Sequence, residues 1–80
     1  MKLPRNVTGR QLATALAALE YTIIRQRGSH MNLTTQRGGE HHIVIPDHRP
    51  IKPGLLNRLL KDIAQHHGLS RDELIEKLRL

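Results

Sequence analysis

A histidine follows two arginines and a turn-forming glycine in segment 25–30, Arg-Gln-Arg-Gly-Ser-His. RNA carries its own nucleophile, the 2′-hydroxyl, so its cleavage needs a group that moves a proton and cations that stabilise the phosphorane. Histidine titrates nearest to neutrality, which makes it the commonest choice for that proton transfer. The segment therefore predicts acid–base catalysis on a phosphodiester by His30, with Arg25 and Arg27 as stabilising cations. The same spacing fits a solvated strand residue, and spacing alone does not decide between the two.

Three further residues are candidates for the same site. Lys52 is a third cation for the phosphate, and Ser29, which precedes His30, is a candidate RNA contact. His48 lies in the loop before Lys52, and it is a candidate second proton-transfer or phosphate-binding group if that loop folds back toward His30. Whether His30 acts as general base on the 2′-hydroxyl or as general acid on the 5′-oxygen stays open.

Six histidines raise the question of a metal site. His41 and His42 are neighbours on a predicted strand, so their side chains point to opposite faces and do not easily share one ion. No motif of the HExxH type is present. The pairs 41–42 and 66–67 are therefore predicted to be partly exposed polar residues, and we expect neither a metal nor another cofactor.

The charge of the chain favours an anionic partner. Thirteen lysines and arginines against seven acidic residues give the 80-residue chain a net charge of +6, an excess typical of proteins that bind nucleic acid. Residues 1–39 hold six of the basic residues and one acid. Tyr21 is the only aromatic residue, so the chain lacks the rings on which single-stranded bases are usually stacked. Phosphates, sugars and helix shape remain as the features to bind.

Composition also excludes several classes of protein. No apolar stretch approaches the roughly 20 residues of a membrane span, and the sequence does not open with a basic segment followed by an apolar one, so we expect neither membrane insertion nor export. The absence of cysteine excludes disulfides, thiolate metal sites and thiol nucleophiles. We therefore expect a cytoplasmic protein without a membrane partner, folded as a single domain over residues 1–80.

The elements that must position these residues begin with a helix and three strands. Thr8 and Gln11 fit a capping box, and apolar residues at helical spacing then predict a helix over 9–20. Short alternating segments separated by glycines predict an antiparallel meander with strands 21–26, 30–35 and 40–45. In the second strand Met31 and Leu33 alternate with His30, so burial of the two apolar side chains turns His30 to the opposite face. The third strand is predicted to bury Ile43 and Ile45 and to expose His42 and Val44.

Two helices complete the predicted fold. Pro53 suits the first turn of a helix that Gly68 ends, and Ser70 with Glu73 fits a second capping box. The terminal helix has an apolar face, predicted to lie in the core, formed by Leu74, Ile75 and Leu78. The order α-β-β-β-α-α predicts an α+β fold, a three-stranded antiparallel sheet with helices packed on one face.

Two non-catalytic functions are alternatives. Residues 64–70 imitate the turn of a DNA-binding helix-turn-helix, but Asp72, Glu73 and Glu76 would approach the DNA phosphates, so no direct DNA binding is expected. A module that binds double-stranded RNA through shape and backbone contacts, without cleaving it, also fits the charge. Incubation with RNA distinguishes this RNA-binding module from a nuclease, because only a nuclease cleaves the RNA.

Several short motifs are spread over nearly the whole chain. They are segments 2–4 (KLP), 12–19 followed by Tyr21, 25–30 (RQRGSH), 44–46 (VIP) with His48, 51–54 (IKPG) and 68–70 (GLS). Together they resemble the HicA (YcfA-like) family of bacterial mRNA-interferase toxins. The resemblance implies a double-stranded-RNA-binding-like fold, endoribonuclease activity on mRNA, an essential histidine at His30 and neutralisation by a HicB-type antitoxin. The histidine pairs 41–42 and 66–67 depart from the family pattern and receive no role from it.

Overall fold

Helix α1 (Gly9–Ala15) begins at the predicted capping box in the computed structural model, which describes residues 2–80. The Thr8 hydroxyl accepts a hydrogen bond from the Gln11 amide at 3.0 Å, and the Gln11 side chain accepts one from the Thr8 amide at 2.8 Å. The helical segment predicted over about 9–20 is present, but it is not α-helical to its end. The chain tightens into a 3₁₀ turn over Leu16–Leu19 and leaves it through a left-handed Glu20 with φ of 63°. A tightened last turn is a common way to end a helix.

The three strands form one antiparallel sheet in the order β1-β2-β3. They are β1 (Thr22–Arg27), β2 (His30–Thr35) and β3 (His41–Pro46). The bounds of β2 are those predicted, whereas β1 and β3 each begin and end one residue later than predicted. For β1 the reason is local: the Tyr21 amide donates to the Leu16 carbonyl at 3.2 Å, so pairing with β2 starts only at the next residue.

One face of the sheet carries the core. Met31, Leu33 and Ile45 are fully buried and Ile43 is 5% exposed, whereas His30 and His42 are exposed. Val44 is also exposed. The predicted division of β2 and β3 into a buried and an exposed face is therefore confirmed. The exposed face, opposite the helices, is called the outer face below.

Strand β1 contains a bulge that changes which side chains share the outer face. Ile23 pairs with Leu33, but the next pair is Arg25 with Asn32, so Ile24 is an extra residue. Directly opposed residues in a sheet lie on the same face. Arg25 therefore shares the outer face with Asn32. A regular strand would have turned it to the helix side.

Helices α2 (Pro53–His67) and α3 (Arg71–Leu78) complete the layer that covers the core. Gly68 ends α2 in a left-handed conformation with φ of 67°, and Ser70 and Glu73 form the second predicted capping box. The apolar face of α3 is buried, as predicted, through Leu74, Ile75 and Leu78. No helix within residues 2–80 is long and apolar enough to cross a membrane.

Candidate functional site

His30 is presented by a two-residue turn at the end of β1. Arg27 and His30 are the last pair of the β1–β2 ladder, so Gly28 and Ser29 form the turn between them. Gly28 has φ of 55°, and a positive φ at the first turn position matches the type II′ hairpin, where glycine is preferred. His30 is the first residue of β2 and is exposed. The turn therefore places an imidazole at the open end of the outer face.

Two arginines share the outer face of the sheet with this imidazole. Arg27 is directly opposite His30 in the register, and Arg25 is opposite Asn32, the next outer-face position of β2. Opposed Cβ atoms are about 4.5–5.5 Å apart, which lets one phosphate group reach both the imidazole and a guanidinium. Both arginines are exposed, and within residues 2–80 neither forms an ion pair. The outer face thus places two arginines, which form no ion pair within residues 2–80, on the same side of the sheet as the titratable ring of His30.

Of the three other predicted site residues, Ser29, His48 and Lys52, only Ser29 belongs to the hairpin turn. Ser29 is in the turn itself, where its carbonyl accepts a hydrogen bond from the Asp47 amide at 2.6 Å. His48 and Lys52 are exposed, on the loop after β3 and at the N-cap of α2. In the described part of the chain no hydrogen bond, ion pair or ring contact joins the side chain of either residue to His30. The core of the candidate site is therefore the β1–β2 hairpin.

A histidine cluster, which the sequence did not indicate, lies on the helix side of the sheet. It consists of Tyr21, His41, His66 and His67, from β3, the end of α2 and the residue before β1. The Tyr21 hydroxyl is 2.7 Å from His41 Nδ1 and 3.1 Å from His67 Nε2. The His41 and His66 rings stack with centroids 4.4 Å apart, and the His66 and His67 centroids are 4.7 Å apart. The prediction that both histidine pairs are partly exposed polar residues is confirmed, since His41, His66 and His67 are half-buried and His42 is exposed. The contacts among three of the four were not predicted.

Burial and neighbouring charges shift two pKa values in the histidine cluster. Burial, assisted by the Asp62 carboxylate, raises the pKa of Tyr21 to about 12. Burial lowers the pKa of His67 below its usual value, and positive charge on His66, His41 and Arg37 lowers it further. Both shifts favour the neutral side chain, so Tyr21 keeps its proton and His67 resists taking one up.

Metal binding finds no support in the arrangement of these rings. Among residues 2–80, no group of three or more histidine, aspartate or glutamate side chains is placed to hold one ion. His66 Nε2 lies 3.1 Å from the carbonyl oxygens of Arg37 and Gly39, so this nitrogen acts as a donor within the fold. His41 Nε2 lies 3.4 Å from a carboxylate oxygen of Asp62.

Comparison with known proteins places the chain in a family. The family model described as the HicA toxin of bacterial toxin–antitoxin matches residues 9–64. This range runs from the start of α1 into α2 and includes the whole β1–β2 hairpin. No curated protein and no solved structure gives a significant match. Because the family model covers more than half of the chain, the protein belongs to the HicA toxin family of bacterial toxin–antitoxin systems.

Proposed function

We propose that the protein is a metal-independent endoribonuclease that cleaves mRNA in the cytoplasm, with His30 as the group that transfers the proton. One observation carries the proposal: the exposed imidazole of His30 lies directly opposite the exposed Arg27 on the outer face of the sheet. Membership of a toxin family adds the expectation of RNase activity. The net charge of +6 favours the approach of a polyanion.

The reaction requires one bond to form and one to break. The 2′-oxygen of a ribose attacks the adjacent phosphorus, and the 5′-oxygen of the next nucleotide leaves, which gives a 2′,3′-cyclic phosphate and a 5′-hydroxyl. As general base, neutral His30 accepts the 2′-hydroxyl proton. As general acid, protonated His30 gives a proton to the leaving 5′-oxygen. The guanidinium groups of Arg25 and Arg27 stabilise the extra negative charge on the phosphorane.

Members of the HicA toxin family work with an antitoxin, and the outer face suggests how this one is neutralised. A HicB-type antitoxin with an acidic surface would pair with Arg25 and Arg27 and exclude RNA from His30. We propose Ser29, Lys52 and His48 as further RNA contacts. A complex that inhibits while leaving His30 accessible would contradict this mode of neutralisation.

Substitution of His30 tests the proposal. In chelator, the wild-type protein should cleave a labelled RNA and leave 2′,3′-cyclic phosphate ends, and His30→Ala should lower the rate by at least about 100-fold. His42→Ala is the matched control, because His42 is also exposed and lies opposite Thr34 on the same face. Circular dichroism checks that both variants fold, and induced expression should arrest growth only for the wild type and the control.

Three outcomes would reject the assignment. Full activity of His30→Ala would remove the catalytic role of this ring. Loss of cleavage in chelator that added divalent metal restores would reject a metal-independent reaction. RNA that is bound but stays intact across pH 5–9 would instead identify a non-catalytic double-stranded-RNA-binding module.

A further inference from the structure

Gln26, Arg10 and Asp47 form hydrogen bonds to the turn that precedes His30 or to one another. We call these three residues the turn clamp. Gln26 pairs with Met31 in the register, so its side chain lies on the helix side of the sheet, away from His30. Its amide nitrogen donates to the Gly28 carbonyl at 3.2 Å, and its amide oxygen accepts from Arg10 Nη2 at 3.1 Å. One side chain thus links the turn to α1.

Asp47 holds the second half of the turn. Pro46, opposite His30 in the register, has no amide proton to donate. The Asp47 amide donates instead to the Ser29 carbonyl at 2.6 Å. The Asp47 carboxylate lies 3.3 Å from Arg10 Nε and 3.5 Å from the Gln26 amide nitrogen. The turn clamp therefore engages the carbonyl oxygens of both turn residues.

The contacts of the turn clamp orient the turn and contribute little to the overall stability of the fold. The Arg10 side chain is 54% exposed and that of Asp47 is 24% exposed, and exposed ion pairs and hydrogen bonds contribute little to the stability of a fold. Catalysis is far more sensitive to geometry, because misplacement of a reacting group by about 1 Å can lower a rate about 100-fold. His30 follows the turn directly, so motion of the turn moves its imidazole.

We infer that Gln26 is a positioning residue for His30. It acts through the Gly28–Ser29 turn and does not contact RNA, because its side chain lies on the other side of the sheet. The inference rests on the proposed function, since it assigns Gln26 a part in the same proton transfer. It predicts an effect of Gln26 on turnover without a matching effect on substrate binding.

The test compares Gln26→Ala and Gln26→Glu with Gln65→Ala, in which an exposed glutamine of α2 is removed. Both Gln26 variants lose the amide donor to the Gly28 carbonyl. With a labelled RNA oligonucleotide of mixed sequence, kcat of Gln26→Ala should fall about tenfold. Its KM should stay within about twofold, and Tm within about 5 °C, of the wild-type values. Gln26→Glu should lose kcat similarly, and Gln65→Ala should match the wild type.

His30→Ala in the same assay separates the two proposals. If His30→Ala is inactive while Gln26→Ala keeps the wild-type kcat, the positioning inference is overturned and the proposed function stands. A fall in kcat that only follows the unfolded fraction would also overturn it, since the role would then be structural. Full activity of His30→Ala, or an inactive wild type, would overturn the proposed function and this inference with it.

Discussion

Acid should destabilise the protein through the histidine cluster. Burial and nearby positive charge lower the pKa of His67 in the folded state from its ordinary value of 6.5. Below that pH the unfolded chain binds a proton that the folded chain resists, so the free energy of unfolding falls. The stabilising effect of the neutral ring is complete above pH 6.5 and is lost as the pH falls from there toward the folded-state pKa.

Burial is the larger cause of the lowered pKa of His67, and the ring separations give the scale of the charge repulsion that adds to it. The His66 and His67 centroids are 4.7 Å apart, and two unit charges at that distance repel by about 1 kcal/mol in bulk water and about 4 kcal/mol at an effective dielectric constant of 20. The three histidines of the cluster are only half-buried, and Asp62 beside His41 offsets part of the charge. We expect the free energy of unfolding to fall by about 1–2 kcal/mol between pH 7 and pH 5. For a domain of this size Tm would fall by about 5–15 °C.

Urea unfolding at pH 7, 6 and 5 measures this slope. His67→Gln keeps an amide that can hydrogen-bond the Tyr21 hydroxyl but takes up no proton, so its free energy of unfolding should depend less steeply on pH. The largest difference expected from one proton is about 1.4 kcal/mol per pH unit. His48→Gln is the control, because His48 is exposed and the variant should keep the wild-type slope. Equal slopes for the wild type and His67→Gln would refute the reasoning.

Two further predictions concern the outer face and the packing of α1. Arg27→Ala should weaken RNA binding measured by filter binding. It should also lower the slope of log K against log salt by about 0.7, the value for one lost phosphate contact on a single strand. The control, Arg58→Ala, removes an exposed charge from α2 and should leave the slope unchanged. Gly9→Ala should lower the free energy of unfolding by about 3 kcal/mol, because a Cβ at Gly9 would overlap the Pro46 carbonyl, whereas Gly54→Ala meets open space. Equal urea midpoints for the two glycine variants would contradict this packing argument.

Much of the fold was predictable because its signals are local. Two capping boxes, the proline at the start of α2 and the glycine after it lie within a few residues of the ends they mark. The errors arose where a contact with a distant residue, or a small adjustment of the backbone, decides how an element ends. The end of α1 is an example, since its last turn tightens into a 3₁₀ turn in which Leu16 and Leu19 are buried in the core. No sequence signal marks that change, because the residues of the turn are ordinary helix formers.

The candidate site was predictable in part. The alternation of Met31 and Leu33 with His30 was sufficient to place the imidazole on the exposed face, because side chains on a strand change face at every residue. The histidine cluster was not predictable, since it joins residues 20 to 46 positions apart in the chain. Its only trace in the sequence is two histidine pairs and a single tyrosine, with nothing to indicate that they meet.

The sequence by itself determined the order of elements, the positive charge of the first half and the exposure of His30, because each follows from neighbouring residues. Only the tertiary structure decided what surrounds His30. The extra residue Ile24 reverses the facing of the rest of β1, and this reversal brings Arg25 and Arg27 to the imidazole side of the sheet. Regular alternation from Ile23 would have turned both arginines toward the helices. Because a bulge is defined by the pairing of two neighbouring strands, the residue pattern of one strand does not predict its position.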